Sequence, residues 1–168
     1  YYKVGREFWE GRERFGETAF QDAVAELGYG EKSGIDIPGE SAGQLPTPEQ
    51  EEELALALYE ADPEYYDNDI DAAKDAGRWN TGKSADMAIG QKLTATPLQT
   101  ANAYAALANG GTLYQPSLLE KVTAAGNPNE VRKAYEKQAI RTIDWGTARE
   151  DIVYGFQGVV DPTGQTWG

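Results

Sequence analysis

The chemistry open to this sequence is narrowed first by what it lacks. Histidine and cysteine are both absent. That removes disulfides, cysteine nucleophiles and every Ser-His or Cys-His dyad. It also removes the usual nitrogen and sulfur ligands of zinc. Any reaction the protein joins must use Ser, Lys, Tyr, Asp or Glu. A serine nucleophile without histidine needs a lysine base, and the known arrangement is Ser-x-x-Lys at a helix start, with Ser-x-Asn and Lys-Thr-Gly as partners. None of the three is spelled out here. Ser117 and Lys121 stand one residue too far apart, and Ser84-Ala85-Asp86 is the nearest approach to the second. Lys32-Ser33-Gly34 is a variant of the third, but it comes early and in a glycine-rich loop rather than a strand, so it reads as coincidence. The residues therefore assign no catalytic group, no metal ligand and no cofactor.

Carboxylates are the abundant chemical group: 28 Asp and Glu against 15 Lys and Arg give a net charge of −13. Such a field repels a nucleic-acid backbone and excludes that class of partner. The acid is concentrated between Glu40 and Asp75, where the only base is Lys74. A solvated, acidic, mobile insertion over 49–77 is the plainer reading of that stretch. Asp67-Asn68-Asp69-Ile70-Asp71 resembles the opening of a calcium loop, but Ala72 stands where the glycine belongs and Arg78 where the bidentate glutamate belongs. Nothing in the spacing favours a pair of carboxylates for glycoside hydrolysis.

The elements that must position any site follow from capping and periodicity. Ala88 to Pro116 organises the chain. Thr96 caps a helix, Pro97 fits its first position, and Gln99 reaches back to close a capping box. Leu98, Ala101, Ala105 and Ala108 recur at helical spacing, and Asn109-Gly110-Gly111 ends the run. Thr47-Pro48-Glu49-Gln50 repeats the same start, with further glutamates suited to a helix N-terminus. That predicts a helix to about Glu60, although Leu54, Leu56 and Leu58 alternate as in a strand. Tyr1, Val4, Gly5 and Phe8 form a core-facing stripe, and Thr18 with Gln21 predicts a capped helix carrying Phe20, Val24 and Leu27. Leu118–Ala124 and Val131–Ile140 flank Gly126-Asn127-Pro128-Asn129, which predicts a β-hairpin near 118–140. Asp144 is expected to cap a last helix, with Asp161-Pro162-Thr163-Gly164 ending it. The fold class is α+β, mostly helical. No apolar run approaches the roughly 18 residues of a membrane span. The chain starts at Tyr1 without methionine and without a signal peptide, as a processed product or a piece of something longer does.

Ile89-Gly90-Gln91, Thr96-Pro97-Leu98-Gln99, Ala108-Asn109-Gly110-Gly111 and the loop from Ser33 to Glu40 together resemble the transpeptidase domain of class B, monofunctional penicillin-binding proteins, with an actinobacterial flavour. Ile89-Gly90-Gln91, Thr96-Pro97-Leu98-Gln99, Ala108-Asn109-Gly110-Gly111 and Pro116 follow the order of that family's I-G-Q-G, T-P-L-Q, A-N-G-G and proline. Ser33-Gly34-Ile35-Asp36-Ile37-Pro38-Gly39-Glu40, then Gly43 and Pro46, is similar to its T-G-I-D-L-P-G-E loop. Trp79-Asn80-Thr81-Gly82, Tyr1–Trp9 and 154–160 add to the likeness. Lys92 departs from it, standing where the second glycine of I-G-Q-G belongs.

The resemblance implies a partial transpeptidase domain over 1–168, lying between the Ser-x-Asn and Lys-Thr-Gly motifs. It implies a parent protein on the extracytoplasmic face of a bacterial membrane. There a serine would attack the D-Ala–D-Ala bond of peptidoglycan stem peptides, form an acyl-enzyme and pass the acyl group to a neighbouring amine. β-Lactams would acylate the same serine, and other cell-wall synthesis proteins would be partners. The reacting groups are absent from this chain, so it is expected to be inactive alone, with Gly90 and Gln91 as the residues lining a substrate cleft. Gln91 could equally serve to satisfy buried backbone groups. A non-catalytic, scaffolding relative is the alternative.

Overall fold

A computed structural model describes residues 1–160. They are mostly helical, with two small antiparallel sheets, in agreement with the α+β expectation. The expected helix stop at Asp161–Gly164 lies outside the described residues. The chain divides into two compact units: 1–32 with 41–99, and 33–40 with the chain from Thr100 onward.

The first unit is helical. It contains α1 (Tyr2–Glu10), α2 (Arg12–Phe15), α3 (Ala19–Glu26), α4 (Pro48–Ala61), a 3-10 turn (Pro63–Tyr66), α5 (Ile70–Gly77), α6 (Thr81–Ala88) and the first residues of α7 (Pro97–Ala108). α1 lies on α6 and α4 on α5. The stripe expected to bury α1 is only partly inward. Tyr1 and Val4 are exposed, and the buried residue is Gly5, where a side chain would collide with the Ser84 carbonyl. Close helix approach, rather than aromatic burial, therefore fixes this contact. Phe8 instead stacks on Phe20 at 5.2 Å between ring centroids.

The expected caps form at α4 and α7 and do not form at α3 and at the last helix. α4 carries a full capping box between Thr47 and Gln50, and its three leucines are helical, with Leu54 and Leu58 exposed. At α3 the Thr18 hydroxyl donates to the Asp22 carboxylate and caps nothing. At α8 (Ala148–Val160) the helix begins four residues past Asp144, which instead accepts from the Gly146 amide in a local turn. Asp67 and Asn68 take left-handed conformations between the 3-10 turn and α5, and Asp69 caps α5 through the Asp71 amide. The calcium-loop-like aspartates are thus occupied by chain reversal and capping. Among the described residues no group of three acidic side chains is arranged to hold a metal.

The second unit holds most of α7, the strands β1 (Thr112–Tyr114), β2 (Lys121–Ala124), β3 (Asn127–Ala134) and β4 (Ala139–Thr142), and α8. β2 and β3 form the expected hairpin, but it turns at Ala125-Gly126, one to three residues earlier than the Gly126–Asn129 segment predicted, while β4 leaves it to pair with β1. The predicted second arm is therefore two strands with separate partners. Every residue of β3 is exposed, so hydrophobic burial does not hold its register, and the pairing shifts twice. The unit's buried apolar residues are Ala103, Ala106 and Leu107 on α7, Leu113 on β1, Ala124 and Ile143.

The stripe of Leu98, Ala101, Ala105 and Ala108 does not form the buried face of α7. Gln99, Ala103, Ala106 and Leu107, on the opposite side, are the buried residues. Alanines occur on every face of this helix, so their spacing does not tell inside from outside. The helix stop is as expected: the Asn109 carbonyl oxygen of the side chain accepts from Gly111 and Thr112, and Gly111 returns its N–H to Ala106. Arg149 of α8 donates to the Leu107 and Ala108 carbonyls at 3.0 and 3.1 Å, neutralising the negative end of α7.

Candidate functional site

The loop between α6 and α7, carrying Gly90 and Gln91, is built from three anchors. The first is α6 itself, a helix that periodicity did not single out. Asn80 caps it through the Lys83 amide, the signal that would have found it. Trp79, just before, is 3% exposed and donates its indole N–H to the buried Ser84 hydroxyl at 2.6 Å. Past the helix the chain turns at Gly90, whose φ of +83° favours glycine. Gly90 N–H returns to Met87 and Gln91 N–H to Asp86. Both residues are exposed, so Gln91 does not satisfy buried backbone groups.

That task falls to Gln99, the second anchor. Its side-chain oxygen accepts from the Thr96 amide at 2.8 Å while the Thr96 hydroxyl accepts from the Gln99 amide at 3.1 Å, completing the capping box. Its amide nitrogen donates to the carbonyls of Glu31 and Ala42, both at 2.8 Å, and more weakly to Gly28 at 3.3 Å. Two N–H groups thus serve three carbonyls. The side chain is 2% exposed. One residue therefore closes α7 and pins the end of α3 and the far side of the long loop. Beside it, Gln44 and Thr94 exchange backbone hydrogen bonds of 2.9 and 3.0 Å. The sequence indicated only the capping half of this role.

The third anchor is ionic. Lys92 donates to both oxygens of Glu51 at 3.0 Å, and Lys83 pairs with the same carboxylate at 2.9 Å. Lys83 also donates to the carbonyls of Ala76 and Gly77, at the end of α5. Burial would raise the Glu51 carboxyl. Hydrogen bonds from Lys83 and Lys92, and then their charges, outweigh burial and hold it below the ordinary carboxylate value. The glutamates of α4 suggested only a favourable helix start, and the inward turn of Glu51 has no local signature.

In the second unit, the segment 33–40 folds into a knot around Glu40. Its carboxylate accepts from the Ser33 amide, the Ser33 hydroxyl and the Gly34 amide. The Gln115 side chain donates to the Gly34 carbonyl, and Asp36 accepts from the Leu118 amide. The Ser33 hydroxyl is therefore committed to a carboxylate. The Ser117 hydroxyl bonds to the Leu119 backbone, Ser41 accepts from the Gly43 amide, and Ser84 serves Trp79. None of these hydrogen-bond partners is a lysine.

Comparison with known proteins agrees with this architecture. The family model described as the penicillin binding protein transpeptidase domain matches residues 7–167. The peptidoglycan D,D-transpeptidase MrdA of Acinetobacter baumannii is 30% identical over 139 residues, 82% of this chain and 17% of its own. Penicillin-binding protein PbpB of Mycobacterium tuberculosis is 25% identical over 160 residues, 90% of this chain and 19% of its own. The chain thus spans less than a fifth of the length of these curated relatives. Among solved structures, PBP2 of Pseudomonas aeruginosa superposes with a TM-score of 0.56 at 23% identity, over 95% of this chain and 31% of that one, a likeness of fold. The helices and small antiparallel sheets described above are part of that fold, and the chain belongs to the penicillin-binding-protein transpeptidase domain family.

Proposed function

We propose that these 168 residues are part of a single transpeptidase domain in a peptidoglycan D,D-transpeptidase, with an acidic insertion over 49–77. The observation that carries the reading is the family match across nearly the whole chain. The name of the Acinetobacter relative supports the same activity. The parent would be of the class B, monofunctional kind and actinobacterial-like, a reading supported by the mycobacterial PbpB match over 90% of the chain. It would act at the extracytoplasmic face of the membrane, although no described helix of this chain is long and apolar enough to cross one.

In this reading the nucleophilic serine and its lysine lie outside the chain. The serine oxygen would attack the carbonyl of the D-Ala–D-Ala bond and expel the terminal D-alanine. The acyl group would then pass to an amine of a neighbouring stem peptide. β-Lactams would acylate the same serine, and other cell-wall synthesis proteins would be partners of the whole protein. The chain's share is support: Gln99, Glu51 and the α6 end hold the loop on which Gly90 and Gln91 would line the substrate cleft. The coding sequence around this segment tests the reading. Ser-x-x-Lys and Ser-x-Asn upstream with Lys-Thr-Gly downstream are expected. Their absence, with no cross-linking of stem peptides by the purified whole protein, would replace it by a non-catalytic relative.

A further inference from the structure

We propose that Lys92 is a positioning residue: seated on Glu51, it fixes the Gly90–Gln91 turn against the helical body of the first unit. The proposal rests on the reading of that turn as a cleft wall only for its consequence in acylation, not for the tether itself.

The order of support is what singles out Lys92. Lys83 is pinned on the Ala76 and Gly77 carbonyls, where the negative end of α5 favours a cation. Glu51, from the first turn of α4, is pinned on Lys83 at 2.9 Å. This carboxylate, with its side chain 17% exposed, then presents both oxygens to Lys92 at 3.0 Å. Lys92 is two residues past Gly90, in a stretch otherwise tied by backbone bonds at its two ends, to Met87 and Asp86 on one side and to Gln44 on the other. An added side chain at Gly90 would meet open space, so no neighbour packs against the turn at that residue. Both ends of the ion pair are partly shielded, with Lys92 at 27% side-chain exposure, so water screens it less than a free surface pair.

This hierarchy predicts an asymmetry among three variants. Lys92→Met and Glu51→Gln both release the turn, and at the turn the double variant does no more than either alone, because the Lys92–Glu51 pair is the interaction both remove there. Lys83→Met weakens the anchor but leaves Lys92 on Glu51. The test is hydrogen exchange at the Gln91 amide in the whole protein, with the rate of acylation by a fluorescent penicillin measured alongside. Exchange about five-fold faster in Lys92→Met and Glu51→Gln, non-additive in the double variant and restored by Lys92→Arg, is the expected result. Unchanged exchange at Gln91 in Lys92→Met overturns the tether, whatever acylation does. Faster exchange with slower acylation sustains both the tether and the cleft wall. Faster exchange with unaltered acylation sustains the tether and sinks the cleft-wall reading alone.

Discussion

The two helices that begin Thr-Pro-x-Gln share a local grammar and differ in what they reach. At α4, Thr47 and Gln50 exchange two 3.2 Å hydrogen bonds on the surface, and the exposed Gln50 goes no further. At α7, Thr96 and Gln99 make the same exchange, but Gln99 is buried and its remaining donors span segments 57 to 71 residues away. α4 has a tertiary anchor too, one residue later, in Glu51. A capping box therefore specifies where a helix starts. Which side chain of the first turn enters the tertiary structure depends on how the helix is rotated on its neighbours.

The contrast can be broken by substitution, and the effects should fall in a definite order. Gln99→Ala strips a cap and leaves the Glu31 and Ala42 carbonyls without their donor. A loss of about 3 kcal/mol in urea unfolding is expected, about 1 kcal/mol for the cap and roughly 1 kcal/mol for each of the two part-buried hydrogen bonds lost. Gln99→Glu keeps the size and the cap acceptor but turns an oxygen on those carbonyls, and should cost at least as much. Thr96→Ala removes only the cap hydroxyl, for about 1 kcal/mol, and Thr47→Ala should cost the same if the two boxes are locally equivalent.

Glu51→Gln comes next, with a loss near 1 kcal/mol at neutral pH and a distinctive pH dependence. The folded Glu51 carboxyl titrates below its ordinary value. Its contribution is therefore present above the ordinary carboxylate range and is lost as pH falls through the lowered folded value. The stability gap between the wild type and Glu51→Gln should close in acid, read from denaturation midpoints across pH. A gap that widens in acid would contradict the sign. Gln50→Ala should be the mildest change, roughly 0.5 kcal/mol, because water replaces what the exposed side chain gives up. A cost equal to that of Gln99→Ala would erase the distinction between the two helices.

What the sequence made legible follows the same division. Caps formed by a threonine and a glutamine three residues on and the Asn-Gly-Gly stop are short-range devices, and they were readable; the hairpin was readable too, but its turn falls at Ala125-Gly126, with Asn127, Pro128 and Asn129 already in β3. Thr18 and Asp144 carry the same residue types yet make no cap, because Asp22 and the Gly146 amide offered them nearer partners. The buried face of α7 was invisible because alanines ring the helix. The split of the 131–140 stretch was invisible because β4 pairs with β1, about thirty residues upstream. The candidate site suffered in the same way. Gly90 announced a turn, whereas Glu51, Lys83 and Lys92 meet only through the tertiary fold. Gly5 was legible only as one member of a core-facing stripe and proved to be the point where α6 approaches.

The functional account stands or falls on where the reactive serine is. The whole protein should be treated with a β-lactam, digested, and the acylated peptide identified by mass spectrometry. The expected adduct is on a serine outside these 168 residues, within a Ser-x-x-Lys sequence, and the isolated 168-residue chain should take up none. An adduct on Ser33, Ser41, Ser84 or Ser117 would contradict the assignment of this chain as scaffold rather than catalyst.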